Sequence, residues 1–275
     1  MNQQKEKITF SAKTIALLII AALLVGFIGG KMTAPKTASV ITNAGNFTDE
    51  MKLPYTADLK DYGANTVERD GDHPDSPYFY SMDFYNAEST ETLDILPQFK
   101  TIQQTSWWSC GISCMEMILD YYGMRSDWNE ETLPPLRENH EDMHPGTCLE
   151  QMIQMFDAVG GFELETTYDY IDDTSAINFD FLQQHIKDGI PVMVAWSDWG
   201  GHWQIIIGYD DMGTEYQGDD VIIVADPFDT TDHNQDGYGV YGAERFLCTF
   251  YVNDFRNSEG HVSDYCFVAP TPVQQ

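Results

Sequence analysis

The residue best suited to covalent chemistry is a cysteine at the predicted start of a helix. Apolar residues recur at helical spacing after Cys110, Ser109 is a suitable N-cap, and Gly123 can end the helix in a left-handed conformation. Cys110 would therefore lie in the first turn, where free backbone N–H groups and the helix dipole favour the thiolate, the form that attacks a carbonyl carbon. The alternative is a buried cysteine that opens an ordinary core helix.

Three polar side chains elsewhere in the chain would complete a nucleophilic site. Gln104 lies shortly before Cys110, and its amide together with the backbone N–H of Cys110 would form a two-donor oxyanion hole. His202 precedes an apolar stretch typical of a strand, and a neutral imidazole there can take the thiol proton and return it to a leaving amine. Asp226 closes the next apolar stretch, where a carboxylate can fix the imidazole tautomer. Each residue alone is a weak signal, but the four in this order support one another.

Along the chain, the predicted elements that position these residues are helices, followed by strands. Beyond the first helix, Thr147 to Glu150 form a capping box that predicts a helix up to Gly160, and a third helix is predicted from Asn178 to Lys187. Apolar and β-branched runs then predict strands at 190–196, 203–209, 221–225, 246–252 and 265–268. This order indicates an α+β fold with N-terminal helices packed on a C-terminal antiparallel sheet.

The chain before these elements divides into two further regions. Three lysines followed by an uncharged apolar run predict a signal-anchor or signal peptide in residues 1–32. Residues 33–92 are mostly polar, which indicates an extension or stalk, and the aromatic burst at 78–85 is expected to pack on the domain. The folded domain is expected at 93–272. It would lie on the extracellular side of a cell membrane, attached through the N-terminal segment, or be secreted.

The charge of the chain excludes one large class of partners. Its 44 acidic and 14 basic residues give a formal net charge of -30. Binding of nucleic acid requires clustered Lys and Arg on the surface, so nucleic acid is not an expected partner. Charge of this size suits solubility outside a cell or attraction for cationic ligands, and it says nothing about reaction type.

Short motifs around the candidate residues resemble those of papain-like cysteine peptidases. More narrowly, they are similar to the double-glycine bacteriocin-leader peptidases and their stand-alone relatives, over about residues 93–270. The motifs are Gln104, Cys110-Gly111, Gly146-Thr147, Gly201-His202-Trp203 and Ala225-Asp226-Pro227. The resemblance implies a papain-like fold, a peptide or protein substrate, a thioester intermediate and no required cofactor. It implies four roles: Cys110 as nucleophile, His202 as base, Asp226 as orienting residue and Gln104 as oxyanion donor. Ser109 is a departure, because the leader peptidases usually have Asp there.

Two other functions stay open at this point. The same fold can serve as a non-catalytic cell-surface binding module that uses its cleft for recognition. Separately, His140, Glu141 and His144 match the H-E-x-x-H pattern of zinc metalloproteases, in which two histidines bind the metal and the glutamate is the general base. Prolines on both sides limit any helix there to about two turns, so a solvated acidic loop is the competing interpretation.

A later segment has the oxygen-rich pattern of a calcium loop. Asp232, Asn234 and Asp236 alternate before Gly237, as in sites where oxygen ligands wrap a hard cation and a glycine allows the turn. The acidic residue expected to complete the loop is displaced by one position, to Glu244. A structural calcium ion is therefore one prediction, and a metal-free loop rich in Asn, Asp and Gly is the other.

The five cysteines of an exported chain would leave one without a disulfide partner. This number suits one reactive thiol together with up to two disulfides. Cys248 with Cys266 is the first pairing expected, and Cys114 with Cys148 is the second. Cys114 lies one helical turn beyond Cys110, and its deeper position favours packing over chemistry.

Overall fold

The computed structural model describes the chain in several stretches. The described residues are 49–60, 62–64, 82–137, 146–197, 201–230, 234–251, 255–256, 262–263 and 265–273. The anchor predicted at 1–32 lies outside them, as does much of the stalk predicted at 33–92. Within the described stretches, no helix has the length and apolar character that crossing a membrane requires.

The helix that carries Cys110, α1, spans Cys110–Tyr121 and confirms the predicted helix. Every residue from its start to Leu119 is buried, so it is a central helix with no solvent face over this length. Gly123 follows with a φ of 69°, a left-handed value that suits a helix end. Ser109 is at the predicted N-cap position, but its side chain makes no capping bond, and its oxygen instead accepts from the backbone N–H of Ser106 at 3.2 Å.

Helix α2 spans Leu149–Val159 and begins one residue later than the predicted capping box implies. Its N-cap is Cys148, whose backbone N–H donates to the Gln151 side chain at 3.1 Å. Thr147 does not cap the helix, because its carbonyl oxygen and its hydroxyl accept hydrogen bonds from two other side chains, Trp203 and Arg137.

Helix α3 spans Phe179–Lys187 and confirms its prediction. Asn178 is the N-cap, and its side chain accepts from the backbone N–H of Phe181 at 3.1 Å. Short 3-10 helices lie between the larger elements, at Asp49–Met51, Pro134–Leu136, Thr167–Tyr170, Thr174–Ala176 and Gln217–Asp219.

The segment predicted as a strand at 246–252 is helical as far as Tyr251, so the prediction was wrong. Helix α4 spans Ala243–Tyr251. Ala243, Phe246 and Phe250 are fully buried while the residues between them are more exposed, which is the spacing of one helix face. Aromatic residues favour strands in general, but here their spacing decides.

Nine strands are found in the described part of the chain: β1 Leu93–Ile95, β2 Phe162–Thr166, β3 Val192–Trp196, β4 His202–Asp210, β5 Val221–Ala225, β6 Tyr238–Gly242, β7 Phe255–Arg256, β8 Val262–Ser263 and β9 Cys266–Pro272. All except β7 and β8 form one antiparallel sheet in the order β2-β9-β3-β4-β5-β6, with β1 also paired to β4. This sheet and the four helices α1 to α4 are compatible with the predicted α+β class.

The centre of the sheet is where the site residues lie. Strand β3 is buried along its whole length, and β4 is buried except at its last residue. His202 pairs with Trp196 on β3, and Ile205 pairs with Ala225 on β5. Helix α1 packs against β4, so the start of the helix and the start of that strand meet.

Part of the 33–92 segment packs into the same core. Met51, Leu53 and Phe84 are buried among core residues. The backbone N–H of Leu53 donates to the carbonyl oxygen of Thr101 at 2.8 Å, which ties this segment to the chain just before α1.

All five cysteines are free thiols, so neither predicted disulfide is formed. Cys248 is exposed on α4, whereas Cys266 is buried in β9. Cys114 is buried, and its thiol donates to the carbonyl oxygen of Trp203 at 3.3 Å. The first pairing was predicted from two supposed strands, and it fails because one of them is a helix.

Candidate active site

Cys110 and His202 are in contact where helix α1 begins beside strand β4. The His202 imidazole lies beside the Cys110 thiol and lowers the pKa of that thiol. Gly111 allows this close approach, because a Cβ there would lie 3.0 Å from Trp203 Cδ1 and 3.0 Å from Met152 Cε. A side chain at position 111 would therefore require the Trp203 and Met152 side chains to shift.

Asp226 lies on the other side of the imidazole. His202 Nε2 is 2.7 Å from Asp226 Oδ1. Because a carboxylate accepts, Nε2 carries the proton and Nδ1 is the nitrogen that faces Cys110. Asp226 Oδ1 also accepts from the backbone N–H of Phe228 at 2.7 Å, which fixes the turn after β5. The structure thus brings three of the predicted site residues together.

The pKa values of the thiol and the imidazole are displaced in opposite directions. Burial alone would raise the pKa of Cys110, but the hydrogen bond and charge of His202 and the backbone N–H groups of Trp203 and Gly111 lower it below its ordinary value of 9.0. Burial alone would lower the pKa of His202, but Asp226 and Cys110 raise it to about 10. A lowered thiol pKa and a raised imidazole pKa both favour the thiolate and imidazolium pair, the reactive form of a cysteine nucleophile.

Cys114, the second cysteine of α1, has a different environment. It has no exposed surface, whereas Cys110 is 8% exposed. Burial raises the pKa of Cys114 well above 9.0, and the neighbouring Cys110 and Asp226 raise it further. Cys110 is therefore the thiol of this helix that is both reachable and easier to ionise.

Gln104 is buried before α1, and its amide makes a contact that the sequence did not predict. Nε2 donates to the carbonyl oxygen of Ser106 at 2.6 Å, while Oε1 has no hydrogen-bond partner among the described residues. The backbone N–H of Gln104 donates to the carbonyl oxygen of Pro227 at 2.8 Å, which holds the residue beside the Asp226 turn. The bond to Ser106 uses one of the two Nε2 hydrogens.

A glutamine that sequence analysis missed contacts the second oxygen of Asp226. Gln204 is fully buried and lies two residues after His202 on β4, so both side chains leave the same face of the strand. Its Nε2 donates to Asp226 Oδ2 at 2.8 Å. The signal that would have found it is one polar residue within an otherwise apolar buried strand, since such residues need hydrogen-bond partners.

A buried carboxylate that sequence analysis also missed holds the loop before Cys110. Glu130 accepts from the backbone N–H of Thr105 at 2.9 Å and from the hydroxyls of Ser109 and Ser113 at 3.1 and 2.7 Å. The Thr105 hydroxyl donates to it as well. Thr105 and Ser109 are 25 and 21 residues away in sequence, so no local pattern indicates this contact.

The predicted metal sites lie wholly or partly outside the described residues. The zinc motif at 140–144 is outside them, and so is Asp232 of the calcium loop. Asn234 and Asp236 are buried, and Asp236 Oδ1 accepts from the backbone N–H of Tyr238 at 2.9 Å. Over the described ranges, no three His, Cys, Asp or Glu side chains are grouped to hold a metal ion. Calcium therefore stays a prediction.

Comparison with family models defines the class of protein. A cysteine at a helix start beside a histidine, with helices packed on an antiparallel sheet, is compatible with a papain-like cysteine peptidase fold. The model of the Peptidase_C39 like family matches residues 96–254, more than half of the chain, so the chain belongs to this family. The match confirms the sequence resemblance and supports a peptidase-type function. No curated protein matches the chain.

Proposed function

We propose that this protein is a cysteine peptidase that cleaves peptide bonds through Cys110, His202 and Asp226. The observation that carries the proposal is Asp226 Oδ1 at 2.7 Å from His202 Nε2, with the same imidazole beside the Cys110 thiol at the start of α1. This geometry supports Cys110 as the nucleophile, His202 as the proton donor and Asp226 as the orienting carboxylate. Family membership supports the same reaction class.

In the first step, the Cys110 thiolate attacks the scissile carbonyl carbon and forms a C–S bond. The carbonyl electron pair moves onto oxygen, and its return breaks the C–N bond. The His202 imidazolium gives its proton to the departing amine, so the amine leaves neutral. A thioester on Cys110 and a neutral His202 remain.

In the second step, water attacks the thioester carbon while neutral His202 takes one of its protons. The C–S bond breaks, and Cys110 leaves as a thiolate. The products are a carboxylic acid and the original thiolate and imidazolium pair. Asp226 keeps the Nε2 proton in place throughout, so Nδ1 is always the nitrogen that exchanges protons with the reacting groups.

Gln104 is the proposed side-chain donor to the oxyanion, together with the backbone N–H of Cys110. Its position before α1 supports this role, and a second Nε2 hydrogen is needed for it because the first bonds Ser106. We expect Gln104→Ala to lower kcat more than it raises KM, since an oxyanion forms only along the reaction path.

The proposed location outside the cell, with or without a membrane anchor, rests on the sequence of residues 1–32. Cell fractionation with a tag at the C-terminus tests it. The tag should be found in the membrane or medium fraction and be accessible to protease added outside cells, and recovery in the cytoplasm would contradict the proposal.

The test of the reaction uses the full-length protein and a mixture of peptides of diverse sequence. New peptide termini, detected by mass spectrometry, are expected with the native protein and not with Cys110→Ala. A peptidyl epoxide should form one adduct, on Cys110, and should stop cleavage.

Two results would contradict the proposal. Cleavage that persists in Cys110→Ala would remove the nucleophile from the reaction. Cleavage stopped by a chelator, but not by the epoxide, would favour the zinc motif at His140, Glu141 and His144 instead.

A further inference from the structure

We infer that Gln204 is a positioning residue that holds the Asp226 carboxylate in the orientation that directs His202. The inference rests on the proposed function, because it assigns a role within the same site. It concerns the hydrogen bonds behind the three proposed catalytic residues. Gln204 contacts Asp226 and not the reacting atoms.

The two oxygens of Asp226 are held by different groups. Oδ1 accepts from His202 Nε2 at 2.7 Å and from the backbone N–H of Phe228 at 2.7 Å. Oδ2 accepts from Gln204 Nε2 at 2.8 Å. In the described part of the chain, Gln204 is thus the donor that fixes the second oxygen, and with both oxygens held the carboxylate cannot rotate away from the imidazole.

The Gln204 amide has one allowed orientation. Its Oε1 accepts from the indole N–H of Trp196 at 2.7 Å, and its Nε2 also lies 3.1 Å from the Tyr241 hydroxyl. A flipped amide would place Oε1 against the Asp226 carboxylate, an acceptor against an acceptor, and Nε2 against the indole, a donor against a donor. Trp196 therefore selects the orientation in which Gln204 donates to Asp226.

The backbone makes this arrangement rigid. Ile205 pairs with Ala225 across β4 and β5, so the next antiparallel step places Gln204 opposite Asp226. Gln204 has no exposed surface. A hydrogen bond to the charged form of a buried carboxylate favours that form, and an aligned carboxylate in turn favours the imidazolium and the thiolate. Loss of the Gln204 donor should therefore reduce the thiolate fraction of Cys110.

The test measures the reactivity of Cys110 without a substrate. The full-length native protein and Gln204→Met, which keeps the shape but has no donor, are treated with iodoacetamide over a range of pH. The alkylation rate of each cysteine is followed by mass spectrometry, and the exposed Cys248 is the internal reference. We expect alkylation of Cys110 in the variant to be about tenfold slower near neutral pH, with its midpoint at higher pH, and Cys248 to be unchanged.

Two further variants separate positioning from simple packing. Tyr209→Phe removes a hydrogen bond of 2.5 Å to the buried Asp220 carboxylate at the far end of β4. It should lower thermal stability and leave the pH dependence of Cys110 unchanged. Gln204→Glu places two carboxyl groups together, and one of them holds a proton at low pH. At low pH, Cys110 of this variant should be alkylated as fast as Cys110 of the native protein. As the pH rises and the shared proton is lost, its alkylation should become slower than in the native protein.

The inference and the proposed function fail in different ways. If His202→Ala slows Cys110 alkylation but both Gln204 variants match the native protein at every pH, the inference is overturned and the proposed function stands. If Cys110 reacts no faster than Cys248 in the native protein and His202→Ala changes nothing, both are overturned. If Gln204→Met does not fold, the pH dependence of Cys110 alkylation in Gln204→Glu decides whether the inference holds.

Discussion

Two buried acidic groups on helix α1 have pKa values shifted in opposite directions. The pKa of Cys110, in the first turn, is lowered despite burial, because its sulfur faces the His202 imidazole and two backbone N–H groups. Glu116 lies in the middle of the same helix, and burial raises its pKa to about 7 although Arg125 is 2.8 Å away. The neighbours explain the difference, because His202 favours the charged form of Cys110, whereas the Glu130 carboxylate adds to burial in opposing a charge on Glu116.

The surroundings of Asp226 and of Glu116 also differ in how many buried polar atoms have hydrogen-bond partners. Both oxygens of Asp226 have donors. In the rear cluster, formed by Glu116, Arg125 and Glu130, the Glu116 Oε1 and Arg125 Nε atoms have no partner among the described residues. Only Glu130 is well supplied with donors there. We therefore expect pH to act on reactivity through the proposed catalytic residues and on stability through the rear cluster.

The largest effect is expected on catalytic activity, and it should distinguish Cys110 from Cys114, the two cysteines of α1. Cys110→Ser should lower kcat/KM for peptide hydrolysis by about 10⁴-fold or more, because a serine hydroxyl is not ionised by this histidine. Cys114→Ser is the matched control, and it should keep most of the activity because a hydroxyl can also donate to the Trp203 carbonyl oxygen. Equal losses in the two variants would mean that the helix, and not the thiol at its start, had been disturbed.

Removal of the Glu130 carboxylate, which accepts the most hydrogen bonds in the rear cluster, should have the next largest effect. Glu130→Ala should lower the free energy of unfolding by about 3 kcal/mol or more, since it leaves the buried donors of Thr105 and Ser113 without an acceptor. Chemical denaturation measures this change. The neighbouring Glu131→Ala should cost less than about 0.5 kcal/mol, because Glu131 is exposed and its ion pair is long. Similar losses for the two would contradict the account of the loop.

The stability of the protein should depend on the pH through Glu116. Between the ordinary pKa of 4.5 and about 7, the folded state keeps a proton on Glu116 that the unfolded chain has released. The free energy of unfolding therefore falls as the pH rises through this window, by about 2 kcal/mol. Denaturation curves at several pH values should show this slope in the native protein and a flatter one in Glu116→Gln. Parallel slopes would show that Glu116 is ionised throughout.

The smallest effect tests one hydrogen bond of the rear cluster. Ser113→Ala removes the hydroxyl that donates to Glu130 at 2.7 Å, and it should cost about 1 kcal/mol of unfolding free energy. Ser175→Ala removes an exposed hydroxyl that bonds Asp173 at 2.6 Å, and it should be nearly neutral. Equal losses of unfolding free energy in the two variants would mean that burial does not strengthen the hydrogen bond from Ser113 to Glu130.

Sequence predicted the elements whose signals are local. The spacing of apolar residues after Cys110 gave α1, the Asn178 cap gave α3, and apolar runs gave β3, β4 and β5. The strand expected at 246–252 failed because aromatic residues fit both strand and helix, and only the spacing of the buried ones distinguishes the two.

The parts of the site that sequence missed depend on contacts between remote residues. Gln204 bonds Asp226 across a strand pair, and Glu130 reaches Thr105 across 25 residues. Neither residue belongs to a short motif. The expected disulfides failed for the same reason, since cysteine count and spacing do not give distances between side chains.

The most direct test of the central claim is an NMR titration of the His202 imidazole in the resting, full-length protein, assigned by comparison with His202→Ala. A thiolate and imidazolium pair predicts that His202 stays protonated well above neutral pH and loses its proton near its raised pKa of about 10, and that Cys110→Ala lowers this value. A titration near the ordinary value of 6.5 that is the same in Cys110→Ala would contradict the account.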